Sequence, residues 1–248
     1  MRFGPASGNS DPVIRNHRQG PAGYAHRAAE PCRHGPAQAL LLQDSLAIGQ
    51  AQIFKPDGTS TVLPITKKSK GTTMVRTELQ RPEGTQVQIA NNGAATLQLA
   101  NGKVRSLITN NTVAERVEHI PALSLLSDSS KAEMELKYVG SDSVSGQPAD
   151  IVSISYIPSG AQDPNSWRGM TRTLFYIDQS TKFVTKIQYQ NFAEDNTNLS
   201  EKVEILFSGY RAVNGVFVPF QQSTYSDGQL PTYDCVNCDL ISSSDSSV

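Results

Sequence analysis

Residues 171–192, TRTLFYIDQSTKFVTKIQYQNF, and 201–225, EKVEILFSGYRAVNGVFVPFQQSTY, alternate apolar with polar side chains and are broken by tight-turn residues. Period-two alternation places every second side chain on one face of a strand. Phe183, Ile187 and Tyr189 share one parity, as do Val203, Ile205 and Phe207; Val216, Val218 and Phe220 repeat it after Asn214-Gly215. Asp178-Gln179-Ser180-Thr181 and Asp227-Gly228 supply two more turns, and Asp178 is expected to bond backbone N–H groups of its own turn. The stretch predicts an antiparallel meander with one covered face.

Upstream, strands are expected at 51–55, 61–66, 72–79, 85–90, 94–99 and 103–109, separated by Pro56-Asp57-Gly58, Arg81-Pro82-Glu83-Gly84, Asn91-Asn92-Gly93 and Asn101-Gly102. Asn and Gly tolerate the positive φ of a primed hairpin turn. Val87 and Ile89 give one strand an apolar side, and Leu97 and Leu99 give another. Pro64 argues for an edge position. Lys67, Lys68 and Lys70 read as a solvated loop. Strands resume at 134–139 and 150–157, and 158–170 reads as a loop carrying Trp167, the single tryptophan. That side chain either contacts a ligand or plugs the end of the core. A last strand covers 233–242, for ten to twelve in all.

Two helices are expected. Pro36 opens and Gly49 follows one whose face carries Ala39, Leu42 and Leu46; being short, it must pack on the sheet. The other runs from an N-cap at Thr112, with Glu115 three residues on, to Leu126, and is interrupted by Pro121. Its Leu123, Leu125 and Leu126 make it resemble a lid. Residues 1–36, rich in Gly, Pro, Ala, Arg and His, show no apolar periodicity and are expected to be a disordered tail. A misplaced start, with the true signal peptide lost, would explain that composition equally well. One domain is expected over 37–242, followed by a disordered end at 243–248.

Charged residues make up 18% of the 248, below the roughly 25% of an average domain, and the net charge is -1. Nothing here supplies the basic field that nucleic acid requires, and no apolar run reaches the roughly 18 residues of a membrane helix. Phosphate loops, H-E-x-x-H, nucleophile elbows and D-x-D-x-D-G calcium loops are absent from the sequence. His119 is the only histidine outside the tail, so a histidine-assisted nucleophile would have to rest on it; Glu118-His119-Ile120 reads instead as the end of a helix. His17, His26 and His34 are spaced without a framework for metal. Cys235-Val236-Asn237-Cys238 is the one chemical motif. It lacks the second pair of a zinc ribbon and the helix N-terminus of a redox site. A local disulfide between Cys235 and Cys238, or two free thiols, is the expectation, with redox or metal chemistry as the alternative.

The Tyr176-x-Asp178-x-x-Thr181 hairpin and the Tyr210-Arg211-x-Val213-Asn214-Gly215-Val216-x-x-Pro219 hairpin resemble exported bacterial proteins of the lipoprotein-carrier superfamily, which includes LolA and LolB. More weakly, MVRTEL at 74–79, the strand ending at Asn92-Gly93 and a leading helix are similar to that family's front half. The resemblance covers about residues 37–230. It implies a mostly β fold: a strongly bent, open antiparallel sheet, or half barrel, with short helices over its concave face. It also implies a non-catalytic, periplasmic or outer-membrane-associated protein, without cofactor or metal, whose cavity takes the acyl chains of a lipid or lipoprotein. Leu42, Leu46, Val87, Ile89, Leu97 and Leu99 are then candidates to line that cavity. So are Leu123 and Leu126, with Phe183, Ile187, Tyr189, Val203, Ile205 and Phe207 from the meander. Arg76 is the nearest match to a functional arginine of the localisation factors, although its parity with Glu78 suggests the polar face. The alternatives are an interaction module of the same fold that contacts an envelope protein and binds no lipid, and an enzyme using Cys235 and Cys238.

Overall fold

The computed structural model describes residues 44–55, 57–71, 73–91, 93–107, 111, 121–128, 131–193, 196, 198–213, 216–228 and 233–241; of 123, 126–128 and 233–241 it describes the backbone alone. All of these belong to one unit, Arg33–Val248. Consecutive hairpins build a first wing from β1 (Asp44–Phe54), β2 (Ser60–Lys70), β3 (Met74–Arg81), β4 (Gly84–Asn91), β5 (Ala94–Gln98) and β6 (Val104–Leu107). Helix α1 (Pro121–Asp128) then leads to β7 (Met134–Val144) and β8 (Gln147–Tyr156). After α2 (Pro164–Thr171) come β9 (Thr173–Asp178), β10 (Val184–Phe192) and β11 (Ser200–Ser208). A small hairpin of β12 (Arg211–Val213) and β13 (Val216–Val218) precedes β14 (Gln221–Ser226) and β15 (Tyr233–Ile241).

Thirteen of these strands form one antiparallel sheet in the order β6-β5-β4-β3-β2-β1-β15-β14-β11-β10-β9-β8-β7. The last strand is the joint of the molecule, pairing with β1 on one side and β14 on the other. The sheet is open, because its edges β6 and β7 do not pair with each other. It is also sharply bent. Eight strand positions separate β5 from β10, roughly 38 Å on a flat sheet, yet Leu97 of β5 and Phe192 of β10 line one cleft. Likewise Lys67 of β2 donates to Gln222 Oε1 of β14 at 2.8 Å, across three strand positions. The expected mostly β, open, curved antiparallel sheet is what the chain forms.

Residues directly opposite one another in an antiparallel pair share a face, so the register sorts the side chains. The inner face of the first wing carries Ala51, Leu63, Ile65 and Leu79, a buried cluster to which Ile53 adds. On the second wing Ile154, Phe175, Val184, Ile187, Tyr189 and Val203 pack with Ile205 and Phe207, and Ala122 and Leu125 of α1 close over them. Among the described residues one short helix, α1, therefore covers that cluster. A smaller cluster of Val144, Ala149, Ile151 and Tyr176 lies on the outer side of the second wing.

Local chemistry accounts for the turns. Asp178 Oδ1 accepts from Ser180 N at 3.0 Å, Thr181 N at 2.6 Å and Thr181 Oγ1 at 2.9 Å, and this brace holds Lys182 at φ 63°. These bonds, the backbone N–H of Thr181 foremost, hold the Asp178 carboxyl below the usual carboxylate range. Gly84 has φ 140°, and a Cβ there would lie 2.4 Å from the Ala100 carbonyl oxygen, so the β3–β4 turn requires glycine.

Five expectations are corrected. Residues 44–48 are strand rather than helix: a short leucine run fits either period, and two neighbouring strands offer β1 more than a lone helix gains; the rest of that expected helix, Leu42 included, lies outside the described residues. Lys67, Lys68 and Lys70 sit in β2 rather than in a loop, and Lys67 is buried. Part of the expected 158–170 loop is helical, because Asp163 accepts from Asn165 N and Ser166 N ahead of Pro164, an N-cap followed by proline in the first turn. Fifteen strands occur among the described residues, against ten to twelve expected, the surplus arising at the β12–β13 hairpin and β14. Pro64 is internal to the sheet, but β3 pairs with β2 only from Ile65 onward. The missing N–H thus falls where no third strand needs it.

Candidate functional site

The bend leaves a cleft of about 420 Å³ between the two wings, within the few-hundred-Å³ range of small-molecule sites. One wall follows from the β4–β5 turn. Asn91 pairs with Ala94 around Asn92-Gly93, so Gln88 must face Leu97, and Leu97 in turn faces Arg105 of β6. This row and Leu107 form the first-wing wall. The opposite wall is the end of β10 and the start of β11: Asn191, Phe192 and Ala193, then Leu199, Ser200 and Glu201. Leu199 is 60% exposed, an apolar side chain held at the opening.

Asn111 joins the walls. Its Nδ2 donates to the Phe192 carbonyl at 2.8 Å and its Oδ1 accepts from Phe192 N at 2.9 Å. This two-point clasp, made by a buried side chain, ties the segment after β6 to β10. Glu201 is held by neutral donors, with Asn191 Nδ2 at 2.9 Å and Ser226 Oγ at 2.6 Å. The cleft thus has apolar patches at Leu97, Leu107 and Phe192 and polar groups at Gln88, Asn191 and Glu201. With Arg105, Asn111 and Ser200 also in the lining, polar groups outweigh apolar ones, so an occupant would need a polar part as well as an apolar one. Among the described residues no three His, Cys, Asp or Glu side chains converge as a metal site would need.

Of the side chains anticipated to line a cavity, Leu97 does so. Val87 and Ile89 register with Glu78 and Arg76, which puts them on the opposite face of β4 from Gln88 and the cleft. Leu46 of β1 registers with Lys68, on the same outer side, and Leu99 lies in the turn after β5, where its N–H donates to the Lys103 carbonyl. Ile187, Tyr189, Val203, Ile205 and Phe207 come together, but as a packed core beneath α1. Phe183 stacks on Tyr210 with ring centroids 4.4 Å apart and lies 5.2 Å from Phe217, capping the end of that core with the small hairpin. Tyr210 there donates its hydroxyl to the Val184 carbonyl at 2.5 Å, and burial pushes its phenol pKa up. The side chains of Leu123 and Leu126 are outside the description.

Arg76 Nε donates to Glu78 Oε1 at 2.5 Å on the outer face, away from the cleft. Trp167 lies on α2 with its ring edge against Tyr156, centroids 6.0 Å apart at 89°. Cys235 occupies a β15 position in register with Ala51 and Gln222; the Cys235 and Cys238 side chains are outside the description. The residues that sequence reasoning missed are Gln88, Arg105, Leu107, Asn111, Asn191, Phe192, Ala193, Leu199, Ser200 and Glu201. For Gln88 the signal was present, since a two-residue Asn-Gly turn dictates the register. For Asn111 and the wall of 191–193 and 199–201 it was not, because their meeting depends on the bend.

No protein-family model matches the sequence, and a search of curated proteins finds no match. Solved structures do resemble it. A DUF1329 family protein from Desulfovibrio piger has a TM-score of 0.54 at 14% identity, over 86% of this chain and 90% of that one. A LolA superfamily protein from Nitrosomonas europaea has a TM-score of 0.50 at 10% identity, over 81% and 86%. An outer membrane lipoprotein-sorting protein domain from Vibrio parahaemolyticus has a TM-score of 0.50 at 11% identity, over 84% and 89%. The chain therefore shares its fold with a LolA superfamily protein and an outer membrane lipoprotein-sorting protein domain. Among the described residues no helix is long and apolar enough to cross a membrane.

Proposed function

We propose that this protein is a non-catalytic binder of lipid or lipoprotein acyl chains in the bacterial envelope, on the periplasmic side or at the outer membrane. The observation that carries the reading is the cleft of about 420 Å³ between the wings, in which Leu97, Leu107 and Leu199 supply apolar contact within a lining that is more polar than apolar, with Gln88, Arg105, Asn191 and Glu201 among its groups. Burying methylenes there needs no polar chemistry, as each contributes roughly 0.8 kcal/mol. The core under α1, with Ile187 and Ile205 fully buried, is already filled by the protein's own side chains, whereas the cleft is open to a ligand. The likeness of fold to a lipoprotein-sorting domain supports the same reading.

The test is displacement of an environment-sensitive hydrophobic fluorophore by a saturated fatty acid, in the wild type and in Ala193→Trp, which places an indole in the cleft. Losing contact with about three methylenes corresponds to roughly 2.4 kcal/mol, or about 50-fold in Kd. Equal displacement from both proteins would move the site elsewhere; no displacement from either would refute lipid binding.

A further inference from the structure

Strand β7 closes one edge of the sheet, and among the described residues no strand pairs along its outer side. It is long, and two of its apolar side chains stand bare: Leu136 is 49% exposed and Tyr138 61%. Both lie on the inner face, Leu136 registering with Ile154 and Tyr138 with Val152. Met134, two residues earlier on that face, packs against the core to which Ile154 belongs. The core thus runs out to the edge and ends in an uncovered strip. A bulge between Tyr138 and Gly140 ends the regular stretch, leaving 134–138, MELKY, as the usable edge, in which the Met134 N–H is already engaged, donating to the Lys131 carbonyl at 3.1 Å.

We infer that this edge pairs antiparallel with the same edge of a second copy, about a two-fold axis at Leu136. Unpaired N–H and C=O groups of an edge strand are a ready template for another strand, and the sequence selects which. With the axis at Leu136, Glu135 faces the second copy's Lys137 on the outer side, and Lys137 faces its Glu135. On the inner side Met134 meets Tyr138, and Leu136 meets itself. Moving the axis one residue toward the N-terminus sets Glu135 against Glu135, and one toward the C-terminus sets Lys137 against Lys137; like charges directly opposite destabilise a pair. Glu135 is already oriented, because Arg168 Nε and Nη2 hold its two carboxylate oxygens at 2.6 and 2.8 Å, while its side chain keeps 40% exposure. A pairing this short falls in the weak, reversible class of interfaces.

Sedimentation velocity on the full chain from low to high micromolar concentration should show the mass rising from 26.9 kDa toward twice that value. Lys137→Glu makes the edge acidic at both positions and Glu135→Lys makes it basic at both. Each alone should self-associate roughly tenfold or more weakly than the wild type, and an equimolar mixture should recover association, since each edge then finds its opposite. Hydrogen exchange of the wild type supplies a readout that needs no variant: backbone amides within 134–138 should gain protection with concentration. A wild type that stays monomeric throughout, variants that associate as well as it does, or a mixture that fails to recover would each overturn the inference.

Discussion

The Asn111 clasp is where the bend of the sheet can be tested by one side chain. Asn111→Ala removes the Nδ2 bond to the Phe192 carbonyl and the Oδ1 bond from Phe192 N, at 2.8 and 2.9 Å. Each is worth about 1 kcal/mol net, and a backbone group left buried without a partner costs about 1–3 kcal/mol. Phe192 is half-buried at the cleft wall, so water can reach part of the vacated site, which favours the lower half of that range. The expected loss is about 2–3 kcal/mol. With a urea m-value of about 2.5 kcal/mol/M, the midpoint should fall by about 1 M. Asn111→Asp separates the two bonds. Its carboxylate still accepts from Phe192 N but sets an oxygen against the Phe192 carbonyl, a contact that improves only when the carboxyl is protonated. Protonation is then favoured in the fold, the folded pKa lies above the unfolded value of about 3.9, and the stability of Asn111→Asp relative to Asn111→Ala should rise as pH falls through the folded pKa. Urea titrations of the three proteins at pH 7 and pH 4.5 measure both effects. An Asn111→Ala midpoint within about 0.2 M of wild type would refute the claim that this side chain ties the wings together.

Three further outcomes follow from local geometry. Tyr210→Phe leaves the Val184 carbonyl without its hydroxyl donor and should cost about 1–3 kcal/mol in thermal or urea denaturation; in the wild type the raised phenol pKa means stability is intact below the unfolded value of about 10 and declines as pH rises above it. Asp178→Ala removes the brace of the β9–β10 turn. The depressed carboxyl pKa means the gap from wild type is full above about pH 3.9 and closes as pH falls through the lower folded value, which acid titration at fixed urea would reveal. Gly84→Ala meets the Ala100 carbonyl oxygen at a positive φ and should lose about 2 kcal/mol or more; an unchanged melting temperature would contradict the turn geometry.

What could be read from the sequence depended on whether a side chain's position is set locally or by the bend. The parity of Ile187, Tyr189, Val203, Ile205 and Phe207 is a property of two strands covered on one side, and it correctly placed them on one face. The same parity could not tell a packed core from a hollow, because that depends on α1, whose Ala122 and Leu125 close over the cluster. In the first wing each strand has an apolar side, yet Val87 and Leu97 fall on opposite faces because Asn91 pairs with Ala94. Counting back from the Asn92-Gly93 turn, rather than matching apolar sides, would have put Gln88 beside Leu97. No such count reaches Asn111 and Phe192, 81 residues apart. They meet because β15, the last strand, inserts between β14 and β1 and turns two hairpin arrays into one curved sheet. The cleft is therefore a product of chain closure. Weakening the β1–β15 pairing should open the two wings and dissolve the cleft even where every side chain that lines it is left intact.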